Sequence, residues 1–221
     1  MPLGAYLEIG GTRVFAGALD WPGWCRSGRD PGGALETLVV YGPRYARVLR
    51  GTRLRFDAPT STDELAVRER LRGDATTDFG APSIAPRSDR APLDGEDLER
   101  AIRILRACWR TLDRTVEGAR GVPLAKGPRG GGRQLDAIVG HVVGAEAGYV
   151  RMIAGTPPRA ADDPAAARAV RRAVIEAMER AAGVGLPARG PRGGKRWTVR
   201  YFVRRAAWHV LDHAWEIEDR A

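Results

Sequence analysis

Cysteine is nearly absent. Cys25 and Cys108 are the only two in 221 residues, neither has a partner at CxxC spacing, and they build neither a disulfide framework nor a thiolate zinc site. Lysine is nearly absent as well: of 36 basic residues only Lys126 and Lys195 are not arginine. With so much Ala and Gly beside it, this bias reads as the habit of a GC-rich genome, which weakens the inference from a net charge of +9 to nucleic acid. A nucleic-acid binder concentrates its charge in a stripe or patch. Here the arginines are scattered along nearly every segment, many beside Asp or Glu, so nucleic acid is not the expected partner. No apolar run approaches the roughly 18–20 residues that span a bilayer, and the first twenty residues lack a basic stretch followed by an apolar core. The expectation is a cytoplasmic protein with no membrane partner. GxSxG elbow, P-loop and dinucleotide fingerprint are all missing.

What is present divides into two kinds of text. Residues 6–9 and 13–19 are short β-rich runs around the turn pair Gly10-Gly11. Residues 21–29 read as a loop. Asp30 then caps a helix with Pro31 in its first turn, where a missing N–H costs nothing. Ala34, Leu35, Leu38 and Val39 recur at helical spacing, and Gly42-Pro43 should end or kink that helix. Residues 52–56 alternate as a half-exposed strand does, and residues 65–71 do so less cleanly. Between about 76 and 93 Pro, Gly and short polar residues dominate and periodicity vanishes, which reads as a linker.

Four amphipathic helices are predicted after it, over residues 96–117, 134–154, 164–182 and 198–220. At ~1.5 Å per residue each is roughly 30 Å long, enough for a compact bundle. The fold class is thus α+β: a small N-terminal domain of strand-strand-helix-strand order over residues 1–75, a linker over 76–93, and an all-α four-helix bundle over 94–221. The loops before the second and fourth helices share a Gly-Pro-Arg-Gly-Gly text, at 127–131 and 190–194, too short to prove duplication.

The chain contains three histidines. His209 and His213, four apart on one helix, fall within roughly 40° of one face, the spacing by which a helix offers two imidazoles to one ion. His141, inside the second helix, would complete a three-nitrogen site with positions left for water or substrate. Gly144, Ala145 and Gly148 follow it on its own face and leave room for an ion and a ligand. Glu146 is turned away by roughly 140° and is not counted in the site. Asp212 and Glu216 each lie three residues after a histidine, placed to orient an imidazole or accept a proton, or equally to pair with nearby arginines on the surface. An HxxxH pair also occurs without metal, and a lone apolar-face histidine also serves as a hydrogen-bonded core residue. That no histidine falls elsewhere tips the reading toward metal. Trp208 and Trp215 point away from the pair, as packing residues do. Trp21 and Trp24 suit either a contact surface or the core, and Cys25 and Cys108 suit buried inert thiols.

The segment from Arg204 through His209, Asp212, His213 and Glu216 to Arg220 resembles the last helix of the DinB-like (YfiT-like) proteins, with His141 matching the remaining position of the family's metal triad. The resemblance covers about residue 94 to 221. It implies a four-helix bundle with a crossover, metal ligands His141, His209 and His213, and zinc, nickel or a related ion as cofactor; in an enzyme of this kind Asp212 or Glu216 would be the catalytic carboxylate that orients a ligand or accepts a proton. A low-molecular-weight thiol is implied as co-substrate, in a thiol-dependent S-transferase or isomerase acting on a small-molecule substrate. Residues 129–133 and 192–200 would receive an anionic substrate if they fold near the metal. Pro22-Gly23-Trp24-Cys25, then Gly28 and Ala34-Leu35, resemble a HicB-like domain, which implies a small ligand-binding or dimerising module and hence a homodimer. The alternative function is a non-enzymatic regulatory protein, with the HicB-like module as interaction surface and a metal-stabilised bundle as scaffold.

Overall fold

The computed structural model describes residues 1–93, 95–126, 132–159, 163–190 and 193–221. Position 94, the first repeat text at 127–131 and Pro191 and Arg192 of the second lie outside the described residues. The chain forms two compact units, Met1–Ala91 and Pro92–Ala221, and is α+β overall.

The first unit is built on a four-stranded sheet. Strands β1 (Leu3–Ile9) and β2 (Val14–Ala18) form the hairpin expected around Gly10-Gly11, with Gly10 N–H donating to the Arg13 carbonyl at 2.9 Å. β3 (Cys25–Gly28) pairs antiparallel with β2, and β4 (Leu65–Arg72) pairs parallel with β1, giving the order β3-β2-β1-β4. A parallel neighbour needs a crossover, and helices α1 (Pro31–Val40) and α2 (Gly42–Val48) provide it. Asp30 caps α1 by accepting from Gly33 N–H at 2.9 Å, and Gly42-Pro43 separates the two helices by occupying the first turn of α2. Trp24 is completely buried, donating from Nε1 to the Leu38 carbonyl at 2.8 Å and stacking on Tyr45, while Trp21 is half-buried beside Phe56. Trp24 is a core residue.

Three expectations for this unit need correction. Residues 25–28, read as loop, form β3. Cys-Arg-Ser-Gly carries no apolar alternation, and its extended form comes from pairing with β2. Residues 52–56, read as a strand, are irregular. Thr52 turns the chain by donating from Oγ1 to the Leu49 carbonyl at 2.6 Å, Arg53 takes a positive φ of 61°, and Phe56 packs its ring edge on Trp24 and Tyr45. The order is therefore strand-strand-strand-helix-helix-strand-helix, not strand-strand-helix-strand.

Residues 76–93, read as a linker, largely belong to the first unit. Asp74 caps helix α3 (Ala75–Phe79) in a reciprocal box with Thr77. Two carboxylates then satisfy the irregular backbone. Asp78 accepts from Gly11 and Thr12 N–H at 3.1 and 2.8 Å, pinning α3 to the hairpin turn. Glu8, buried on β1, accepts from Thr77 Oγ1 at 2.5 Å, Ser83 N–H at 2.9 Å and Ile84 N–H at 3.1 Å. Burial pushes its pKa up against these bonds, which pull it down. Pro and Gly here mark a segment whose hydrogen bonds go to side chains rather than to a ladder.

In the second unit the four predicted helices are α4 (Gly95–Gly118), α5 (Leu135–Met152), α6 (Ala167–Val184) and α7 (Val199–Arg220). Asp163 opens the third as expected, accepting from Ala165 N–H at 2.8 Å, but the first turn, Pro164–Ala166, is 3-10. Thr198 caps α7 by accepting from Tyr201 N–H at 3.2 Å. α7 packs on α4, α5 and α6 and is buried along most of its length. Among the described residues no helix is long and apolar enough to cross a membrane.

Removing the Glu8 carboxylate by Glu8→Ala strands three donors and should cost the first unit about 3 kcal/mol. Hydrogen exchange checks this: the amides of Ser83 and Ile84 should lose protection in the variant while those of α7 keep theirs. Unchanged protection at 83 and 84 would contradict the pinning role.

Candidate metal centre

The two helices that carry histidines lie side by side and run antiparallel. His141 of α5 meets His209 and His213 of α7, Tyr149 further along α5 meets His209, and at the end of α5 the Met152 carbonyl accepts from Trp197 N–H at 3.1 Å just before α7. Moving toward the end of one helix thus moves toward the start of the other.

At that crossing the three imidazoles converge. Ring centroids of His209 and His213 lie 4.7 Å apart, as an i, i+4 pair on one face requires, and His141 is 5.0 Å from each. The Nε2 atoms of His141 and His209 are 3.2 Å apart, and one ring nitrogen from each of the three residues falls within 4.8 Å of the others. Nitrogens bound tetrahedrally at ~2.1 Å lie about 3.4 Å from one another, so small side-chain adjustments would bring all three onto one ion. The group could hold a metal ion.

The electrostatics suit that chemistry. His209 is buried, only 6% exposed, and His141 is half-buried. Desolvation, followed by the neighbouring imidazoles, holds the pKa of His209 well below its ordinary value, and desolvation with the His213 charge lowers that of His141. Both rings are therefore neutral near pH 7, the form a metal requires. His213 has its Nδ1 held by Glu216 Oε2 at 2.7 Å, which leaves Nε2 as its ligating atom. Glu216 is braced in turn by Arg220 Nη1 at 2.6 Å; the His213 hydrogen bond first, then Arg220, keeps its pKa low against desolvation. Arg220 also donates to the carbonyls of Ala125 at 2.7 Å and Arg133 at 3.0 Å. His209 lacks such a brace: its buried Nδ1 has no hydrogen-bond partner.

Of the sequence-predicted residues, the three histidines come together and Glu216 touches one of them, while Asp212, half-buried on α7, is not among the converging atoms. Trp208 and Trp215 are buried and pack; Cys25 and Cys108 are buried free thiols. Sequence reading missed Arg205 and Arg220, although each follows the spacing already in use: Arg205 is one turn before His209, and Arg220 one turn after Glu216. Tyr149 stands half-buried with its ring 5.8 Å from that of His209. Arg133 precedes α5 within the expected loop 129–133, and its charge is felt at both His141 and His209. Arg129 lies outside the described residues.

Glu146 is indeed turned from the histidines, and it is buried. Trp109 Nε1 donates to its Oε1 at 2.5 Å, Oε2 has no partner, and desolvation raises its pKa from 4.5 to about 7. A carboxyl whose pKa is raised by folding stabilises nothing at high pH. Below pH 4.5 both states hold the proton; between 4.5 and about 7 the unfolded chain ionises and the folded one resists, so stability falls as pH rises. At ~1.4 kcal/mol per pKa unit the loss totals about 3 kcal/mol. Glu146→Gln should therefore be more stable than the parent at pH 8 and indistinguishable at pH 4, read from urea denaturation of both proteins. A constant difference across that range would refute the buried-acid reading.

No family model matches the chain, and neither a curated protein nor a solved structure is significantly similar to it.

Proposed function

We propose that the second unit is a DinB-like four-helix bundle whose His141, His209 and His213 bind one divalent metal ion, zinc or nickel, for transfer or isomerisation chemistry on a small substrate with a low-molecular-weight thiol. The observation that carries this reading is the convergence of three imidazoles from two helices, 68 positions apart in sequence for His141 and His209. Three protein nitrogens leave a tetrahedral ion one position short, as in catalytic rather than structural sites. Among the described residues no further His, Cys or carboxylate joins the group. When bound, the ion would lower the pKa of a thiol or water placed in that position.

The chain's own residues then divide the work. His209 and His141, kept neutral by burial, offer lone pairs without first having to lose protons. Glu216 fixes the tautomer and ring plane of His213 through Nδ1, and Arg220 keeps Glu216 ionised and in place. Tyr149 walls the centre beside His209 and limits water on that side. Asp212 remains a candidate proton acceptor on the same helix. The alternative is a binding or regulatory protein, with the HicB-like first unit as a dimerising contact surface and the metal as a stabiliser of the bundle.

Metal analysis tests the reading. The purified protein should hold one equivalent of zinc or nickel, and a His209→Ala/His213→Ala double variant essentially none. Affinity should be full at pH 7 and stay so through the ordinary imidazole range, falling only in stronger acid, because the lowered pKa values of His209 and His141 delay the protons that compete for those rings. Equal metal content in the two proteins would sink the site. A metal-loaded protein inert in thiol-transfer assays would favour the regulatory alternative.

A further inference from the structure

Charge is unevenly placed in the first unit. Residues 37–56 carry five arginines and no acidic side chain, while the rest of residues 1–91 carries eight basic and eleven acidic ones. The turn after α2 gathers three of the five. Thr52 is buried and organises this turn: its N–H and its Oγ1 both donate to the Leu49 carbonyl, at 3.1 and 2.6 Å, and Oγ1 accepts from Leu54 N–H at 3.2 Å. The residues on either side take left-handed backbone, Gly51 at φ 77° and Arg53 at φ 61°. Arg50, Arg53 and Arg55 are exposed and line one cleft of about 490 Å³. Leu49, Leu54 and the half-buried Phe56 give it an apolar wall, and no acidic side chain lines it. Among the described residues the three guanidinium groups have no hydrogen bond, ion pair or ring contact.

Three unpaired cations around one cleft repel one another, and nothing in the fold offsets the cost. Arg53 adds a second cost, because a positive φ suits glycine and strains a residue with a Cβ. A turn shaped for folding alone would favour glycine at 53, as it has at 51. Strain and unpaired charge at one residue point to a ligand. We propose that this cleft binds a small organic diphosphate, such as a nucleoside diphosphate, with its phosphates on Arg50, Arg53 and Arg55 and its ring against Leu54 and Phe56. Each guanidinium can give a phosphate two parallel N–H bonds, and three of them match the roughly three negative charges of a diphosphate ester near neutral pH. An aromatic wall gives a flat base a surface to lie on. Arg47, in the last turn of α2, adds to the positive potential that draws the anion in. The site uses no histidine and is independent of the metal reading.

Calorimetric titration of the full-length protein at low salt provides the test, with ADP, pyrophosphate and adenosine as probes. ADP should bind at least about tenfold tighter than pyrophosphate, which lacks the ring, and adenosine should give no measurable binding. Arg53→Gly removes a cation and relieves the strained backbone. It should weaken ADP at least about tenfold while the protein unfolds at a higher urea concentration than the parent, a combination that a merely structural arginine would not produce. Arg55→Gln, an exposed substitution that leaves the turn intact, should weaken ADP to a similar degree. No ADP binding by the parent, equal binding of ADP and adenosine, or unchanged ADP affinity in either arginine variant would overturn the proposal. So would a loss of ADP binding confined to His209→Ala/His213→Ala, which would put the phosphates on the metal. A single-stranded oligonucleotide that binds far tighter than ADP and falls steeply with salt would overturn the small-molecule assignment in favour of nucleic acid.

Discussion

The candidate centre depends on burying imidazole against imidazole at the crossing of α5 and α7. Water leaves at least part of each ring, and a protonated pair of facing nitrogens 3.2 Å apart would repel strongly in a medium of reduced dielectric. The two helices can therefore pack as they do only with neutral rings or with a cation shared between them. Packing and chemistry here are the same constraint seen from two sides. The burial that lets α7 contact α4, α5 and α6 also sets the protonation state on which ligation relies.

Support around this crossing is uneven. His213 is held by a chain of hydrogen bonds that runs through Glu216 to Arg220 and on to backbone carbonyls, whereas His209 has only the facing His141 nitrogen at Nε2 and keeps its buried Nδ1 unpaired. An unpaired buried nitrogen costs free energy that the surrounding apolar contacts must offset. Glu146, on the far face of α5, repeats the pattern with its orphaned oxygen. Both are groups whose neutral form burial favours.

How much of this was legible in the sequence follows from the range of the signals. Helical periodicity is local, so α4 to α7 could be read almost to their ends, and the i, i+4 rule placed His209 beside His213 without any tertiary knowledge. Joining His141 to them needed only that the helices pack, which their apolar stripes require. The same arithmetic would have found Arg205 and Arg220. The first unit was harder because its decisive contacts are long-range. Nothing in Cys-Arg-Ser-Gly announces a strand until β2 lies beside it. Nothing in the text around Ser83 and Ile84 announces order until a carboxylate from β1, 75 and 76 positions earlier, accepts their amides. Alternation at residues 52–56 misled because a single left-handed residue, Arg53, ends an extended run whatever the hydropathy.

Arg220 has a consequence beyond bracing Glu216. One guanidinium joins the last turn of α7 to the carbonyls of Ala125 and Arg133, and the Arg220 carbonyl accepts from Ala125 N–H at 2.8 Å. The tether behind His213 is thus shared with the chain leaving α4 and the chain entering α5. By reciprocity, whatever an occupant of the centre gains from a stiffer His213 must reappear as added order at those two crossings. Sequence drift there, far from any imidazole, would retune the pocket without touching a ligand.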